Sequence, residues 1–173
     1  MSPVTNRWAR LSARKRGWLS PASDAGVCIS AFVVARQGTK IVLEKPKDNK
    51  AWPDEGGFPR RRIAKVVRDE AWILPATHLL IDKSPDQAAH RISHEWAGFK
   101  GTPRFVMVQS FTRPSRSKGR NHWDICFVYE IYVRSLPKSK PWWSEMRPFF
   151  RSELSRMKIG RSHLDVLKEA RYV

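Results

Sequence analysis

The chain has little cysteine, little acid and no long apolar run. Two cysteines, Cys28 and Cys126, are all it carries in 173 residues. Neither has a Cys or His partner at zinc-finger spacing, which excludes a zinc knuckle. They read as buried thiols of a reducing compartment, and a cytoplasmic location is expected. The longest strongly apolar run, Val27 to Ala35, is about half of what a bilayer span needs, which excludes a transmembrane helix. Residues 1–23 contain Arg7, Arg10, Arg14, Lys15 and Arg16 and no acid. They also lack an apolar core, so they are not a secretory signal. A basic arm touching nucleic acid and a mitochondrial transit segment both stay open for this stretch, as does a frayed tail.

Only 16 Asp and Glu stand against 33 Lys and Arg, for a formal net charge of +17. A surplus that large predicts a polyanionic partner and says nothing about fold. Apolar residues make up 41% and charged residues 28%, as in a globular protein. The length suits one domain. The expected organisation is a basic N-terminal extension over residues 1–23 and a single domain over 24–173.

Along the chain, Val27 to Arg36 and Lys40 to Glu44 read as two strands joined by a turn at Gln37-Gly38-Thr39. Residues 45–62 read as a long loop ending in Arg60-Arg61-Arg62, followed by a short strand over Ile63 to Val67. Ala71 to Pro75 is a further apolar run. The best-marked element opens at Ser84-Pro85-Asp86-Gln87, a capping box with proline at the first helical position. Its helix is expected from Pro85 to Ala97, with Gly98 as the left-handed stop. Pro85, Ala88, Ala89, Ile92 and Trp96 share one apolar face, and Gln87, His90 and His94 lie opposite. Residues 104–112 and 122–134 read as long strands. The tip between them carries Arg113, Arg116, Lys118 and Arg120 and no acid. A short helix is expected near Ser152 to Met157, and a second capping box, Ser162-His163-Leu164-Asp165, opens a C-terminal helix. The class is α+β with a mixed or antiparallel sheet.

These residues resemble a family. Trp72-Ile73-Leu74-Pro75, the capped helix, and Ala88-Ala89, Arg91, Glu95, Gly98 and Phe99 at their spacing are similar to the Nudix box, G-x5-E-x7-R-E-U-x-E-E-x-G-U with U a bulky apolar residue. The flanking strands and the ending Phe149 to Leu167 agree. The resemblance covers most of residues 27–171 and implies a Nudix-like α/β/α sandwich with a mixed sheet. In the family, the helix carboxylates hold a divalent metal against a pyrophosphate. Here the box glycine falls on Thr77, the first glutamate on Lys83, the Glu of the R-E pair on Ile92 and the second Glu of the E-E pair on Trp96. Glu95 alone survives. Mg²⁺ wants oxygen ligands in near-octahedral array, which an isoleucine and an indole cannot supply.

The remaining polar residues admit two readings. Glu95 is either a lone relic ligand, and the one metal ligand if there is any, or an ion-pair partner of Arg91. Asp124 and Glu130, with Glu95 and Asp82, form a conceivable displaced metal site; otherwise they are ordinary strand residues. Arg60, Arg61, Arg62, Arg113, Arg116, Lys118 and Arg120 are candidate phosphate contacts, and Trp123, Trp142 and Trp143 candidate stacking residues. Most of the eight tryptophans are expected in the core. His90 and His94 read as surface residues for want of a third ligand. The resemblance and the charge together imply a degenerate Nudix domain. It would bind nucleotide or RNA phosphates with little or no hydrolysis, need no cofactor and contact no membrane. One rival is a Mg-dependent hydrolase of a nucleoside diphosphate derivative. Another is a basic scaffold subunit of a ribonucleoprotein.

Overall fold

The computed structural model describes residues 27–47, 60–79, 83–114, 121–138 and 140–173. Strand β1 (Val27–Gln37) and strand β2 (Lys40–Pro46) form the expected hairpin, with Gln37 opposite Lys40. Gly38 sits at φ 61°, the left-handed conformation that glycine adopts without steric cost. Strands β4 (Arg104–Pro114) and β5 (Asn121–Tyr132) are the two long strands read from the sequence. They pair as far as Pro114 and Asn121, so Arg116, Lys118 and Arg120 lie outside the described residues.

Two strands escaped the sequence reading. Strand β3 (Ala76–His78) pairs with β1 across Ser30–Phe32. Strand β6 (Trp143–Phe149) pairs with β2. The latter carries Pro148 and alternating polar residues, a pattern that edge strands tolerate and that hides them from a search for apolar runs. The sheet order is β4-β5-β1-β2-β6, with β3 beside β1. Strand β5 runs parallel to β1 and the other pairs are antiparallel, so the sheet is mixed.

The structure corrects one element outright. Ile63 to Val67 is no strand; it lies in helix α1 (Arg60–Arg68), which also takes in the last residues of the expected loop. Ile63 and Val66 stand one turn apart and are both buried. Packing of that face outweighs the strand preference of β-branched residues.

Helix α2 (Pro85–Arg91) opens with the expected capping box. Gln87 N–H donates to Ser84 Oγ at 3.1 Å, and Ser84 N–H donates to Gln87 Oε1 at 3.0 Å. It then widens into a π-helical turn, Ile92–Ala97, which periodicity does not foretell. Gly98 ends it at φ 80°, where a Cβ would also meet Pro137 at 3.3 Å. Helix α3 (Arg151–Leu154) is a single turn and helix α4 (His163–Glu169) closes the chain. The second capping box does not form: Ser162 takes a left-handed φ of 61° and its side chain does not cap the helix.

Helices lie on both faces of the sheet. On one, Phe32, Val34, Ile41, Leu43 and Val128 pack with Ile63 and Val66 of α1, Leu154 of α3, and Val166 and Leu167 of α4. On the other, Ala31, Val33, Val42, Tyr129 and Ile131 pack with Ala88, Ala89 and Ile92. This is the expected α/β/α sandwich. No helix among the described residues is long and apolar enough to cross a membrane.

Candidate functional site

The box helix packs where the resemblance places a metal-holding helix, and its carboxylate positions are filled by core. Ile92 is 1% exposed and lies in the cluster under α2. Trp96 is 9% exposed and faces Trp142 and Trp143, with ring centroids 5.3 and 5.8 Å away. Both neighbouring indoles donate N–H to the Trp96 carbonyl, at 3.1 and 3.3 Å. These bonds satisfy a carbonyl in the last turn of the helix, where intrahelical partners run out. The three indoles thus pack together over the end of the helix.

Glu95 is exposed on the outer side of the same turn. Arg91 Nη2 donates to Thr77 Oγ1 at 3.4 Å. His90 and His94 are exposed, as read, and His94 Nε2 lies 2.7 Å from the Gly101 carbonyl.

Glu130 is held elsewhere. It alternates with Cys126 and Val128, which pack on the α1 and α4 face, opposite the face where Ala88, Ala89 and Ile92 of the box helix pack. Its Oε2 accepts from Tyr172 Oη at 2.7 Å and from Arg36 Nη1 at 3.2 Å. Burial pushes this carboxyl up, but the bonds from the tyrosines and Arg36 outweigh it and leave Glu130 below the usual carboxylate range. Asp124 is half-buried on the same face, six residues away and therefore about 20 Å along the strand. Asp82 lies outside the described residues. Glu95, Asp124 and Glu130 are thus spread over two faces and the length of β5. Among the described residues, no three His, Cys, Asp or Glu side chains are grouped so that they could hold a metal. A hydrophobic pair and one exposed carboxylate do not fit the oxygen-rich shell that Mg²⁺ requires.

One acid that sequence reasoning passed over is set into the sheet itself. Glu44 exchanges two main-chain hydrogen bonds with Ile73, at 2.9 and 2.8 Å, where the segment before β3 lies alongside β2. Its side chain is fully buried, and neither oxygen has a hydrogen-bond partner among the described residues. Burial pushes the carboxyl well above its ordinary value, which favours the neutral acid. The signal was present: one acid inside the apolar strand Ile41-Val42-Leu43-Glu44. His163 is a second buried group. Its Nδ1 accepts the Leu74 N–H at 3.0 Å, and burial holds the ring neutral.

The basic candidates divide by position. Arg60, Arg61 and Arg62 form the first turn of α1, which contains no acid. A helix N-terminus is already partly positive, so this is a costly place for cations and a favourable one for an anion. Arg113 lies near the end of β4 opposite His122, and Trp123 lies in β5 between Val27 and Thr112.

The sequence matches no protein-family model and no curated protein. Solved structures do match. A MutT protein from Methanosarcina mazei Go1 superposes with a TM-score of 0.59 and 17% identity, over 84% of this chain and 92% of that one. A MutT Nudix hydrolase from Burkholderia pseudomallei gives 0.57 and 14%, over 82% and 96%. A Nudix hydrolase from Nitrosomonas europaea gives 0.55 and 16%, over 84% and 88%. Identities this low establish architecture alone, and with the strand order, the capped box helix and the helices on both faces, they make this protein a Nudix-fold domain.

Proposed function

We propose that this Nudix-fold domain binds nucleotide or RNA phosphates with little or no hydrolysis. The observation that carries the reading is the box helix. Ile92 and Trp96 occupy two of its carboxylate positions, both are buried, and Trp142 and Trp143 cover the second. Moving a carboxylate into such a position would cost several kcal/mol without a partner. The net charge of +17 supports a polyanionic ligand. It is spread over residues 1–20, 60–68 and 113–120, more surface than one diphosphate can use. RNA is therefore favoured over a small nucleotide, in isolation or within a ribonucleoprotein.

The second reading is a Mg-dependent hydrolase with a displaced site. The exposed carboxylate of Glu95 and the likeness to structures described as Nudix hydrolases favour it. One titration separates the two. A labelled single-stranded RNA is titrated with the protein at several salt concentrations. About six phosphate contacts give a log–log slope of about −4. Replacing Arg113, Arg116, Lys118 and Arg120 by Gln flattens that slope and weakens all sequences alike. Turnover of a nucleoside diphosphate derivative with Mg²⁺, together with no salt-dependent RNA affinity, contradicts the proposal and supports the hydrolase.

A further inference from the structure

The end of the sheet where β1 stops and β2 begins carries a chain of cation–ring contacts that the Nudix box does not explain. Arg36, near the end of β1, lies with its guanidinium 5.0 Å from the centroid of Tyr132 and donates Nη1 to the Tyr132 hydroxyl at 3.0 Å. Across the turn, the Lys40 ammonium stands 4.3 Å from the centroid of Phe150. The next residue, Arg151, lies 5.7 Å from the ring of Tyr172. The Tyr172 hydroxyl in turn donates to Glu130, the carboxylate that Arg36 also contacts. Contacts run from Arg151 through Tyr172, Glu130 and Arg36 to Tyr132 on the α1 and α4 side, while Lys40, opposite Gln37, holds Phe150 from the other side of the sheet end.

Two of these rings are left open to water. Tyr132 is 55% exposed and Phe150 is 50% exposed. A cation lies against each ring within the distance at which the ring's negative face attracts it. An open ring clamped by a cation is a fixed platform, with a positive charge beside the place where a stacked base would put its phosphate. Of the acids among the described residues, Glu130 is held by Arg36 and Tyr172, and Glu153, exposed beside Phe150, accepts the Phe150 N–H at 2.6 Å. Base stacking on aromatic rings combined with a cationic track is the general way single strands are held without sequence preference.

We propose that this end of the sheet is a stacking surface for single-stranded nucleic acid. Tyr132, steadied by Arg36, and Phe150 receive bases, and Lys40 and Arg151 meet phosphates. The proposal rests on the reading of the domain as an RNA binder and assigns it a surface distinct from the hairpin tip. Strand β5 runs from Asn121 to Tyr132, so Tyr132 lies about 35 Å along the strand from Asn121.

The test uses the full chain and a fluorescein-labelled oligouridylate of about twelve nucleotides, long enough to cover several stacking positions. Anisotropy titrations compare wild type with Tyr132→Ala, Phe150→Ala and Tyr132→Phe. Each alanine variant is expected to weaken binding about tenfold with the salt slope unchanged, since a stacked base is lost and no phosphate contact is. Tyr132→Phe is expected to keep the affinity, because the ring remains. Thermal melting checks that each variant folds. Ultraviolet crosslinking of the wild-type complex maps the contact without any variant and is expected to label peptides containing Tyr132 and Phe150. Wild-type affinity in both alanine variants, or crosslinks confined to other segments, overturns the stacking surface. If the four hairpin-tip changes still weaken binding in that case, the RNA-binding reading stands without it. If wild type binds no RNA even at low salt, both fall together.

Discussion

Replacing Glu44 by leucine should stabilise the protein, and by more at neutral than at acidic pH. The side chain is fully buried with neither oxygen bonded among the described residues, and burial raises its carboxyl well above the ordinary value of 4.5. An unpartnered buried polar group costs about 1–3 kcal/mol. Keeping the carboxyl protonated adds about 1.4 kcal/mol for each pH unit between the unfolded value and the raised folded one. The sign follows from the direction of the shift. The folded protein holds a proton that the unfolded chain releases, so Glu44 does least harm below pH 4.5. Its cost then grows as the pH rises from there toward the elevated folded value. Urea unfolding of wild type, Glu44→Leu and Glu44→Gln at pH 4.5 and pH 7 measures both parts. Leucine should recover both. Glutamine should recover only the pH-dependent part, because it leaves a polar group unpartnered. Comparing variants at one pH cancels every other titrating group. A loss of stability above ~1 kcal/mol in Glu44→Leu, or a gain that is the same at both pH values, would refute the argument. Glu44 would then be an ionised group with a partner.

Trp96→Ala should lower stability by about 3–5 kcal/mol in denaturant titration, because it empties the space between Trp142 and Trp143; a loss below ~1 kcal/mol would place the ring at the surface. Ser84→Ala should cost about 1 kcal/mol by removing the oxygen that caps α2, and an unchanged midpoint would mean that the capping box adds nothing.

Much of the frame was legible before any coordinates. The Gln37-Gly38-Thr39 turn placed the first hairpin. Ser84-Pro85-Asp86-Gln87 and Gly98 bracketed the box helix. The stripe of Ala88, Ala89 and Ile92 identified a buried face; Trp96 is buried as well, but past the π-helical turn it packs in the other core cluster with Trp143. What failed had physical causes. Ile63, Val66 and Val67 are strand formers by propensity, but their spacing of three and four residues also suits one helix face, and tertiary packing decided between the two. β6 was hidden because an edge strand bonds through its backbone and needs few apolar side chains. Ser162 has the composition of a cap, but its left-handed backbone turns the hydroxyl away from that role. The site was legible mainly by what it had lost. Glu44 and the Arg36–Glu130–Tyr172 network were not legible, because each depends on segments far apart in sequence.

The central claim is that the box helix is packed shut where a metal-dependent hydrolase needs carboxylates. Isothermal titration calorimetry of the full chain with Mg²⁺, repeated with Mn²⁺, tests it most directly. The account predicts no stoichiometric site, since Glu95 is the only box carboxylate and Ile92 and Trp96 are buried in apolar contacts. A stoichiometric site that disappears in Glu95→Gln would contradict it and make the domain a metal-binding hydrolase candidate.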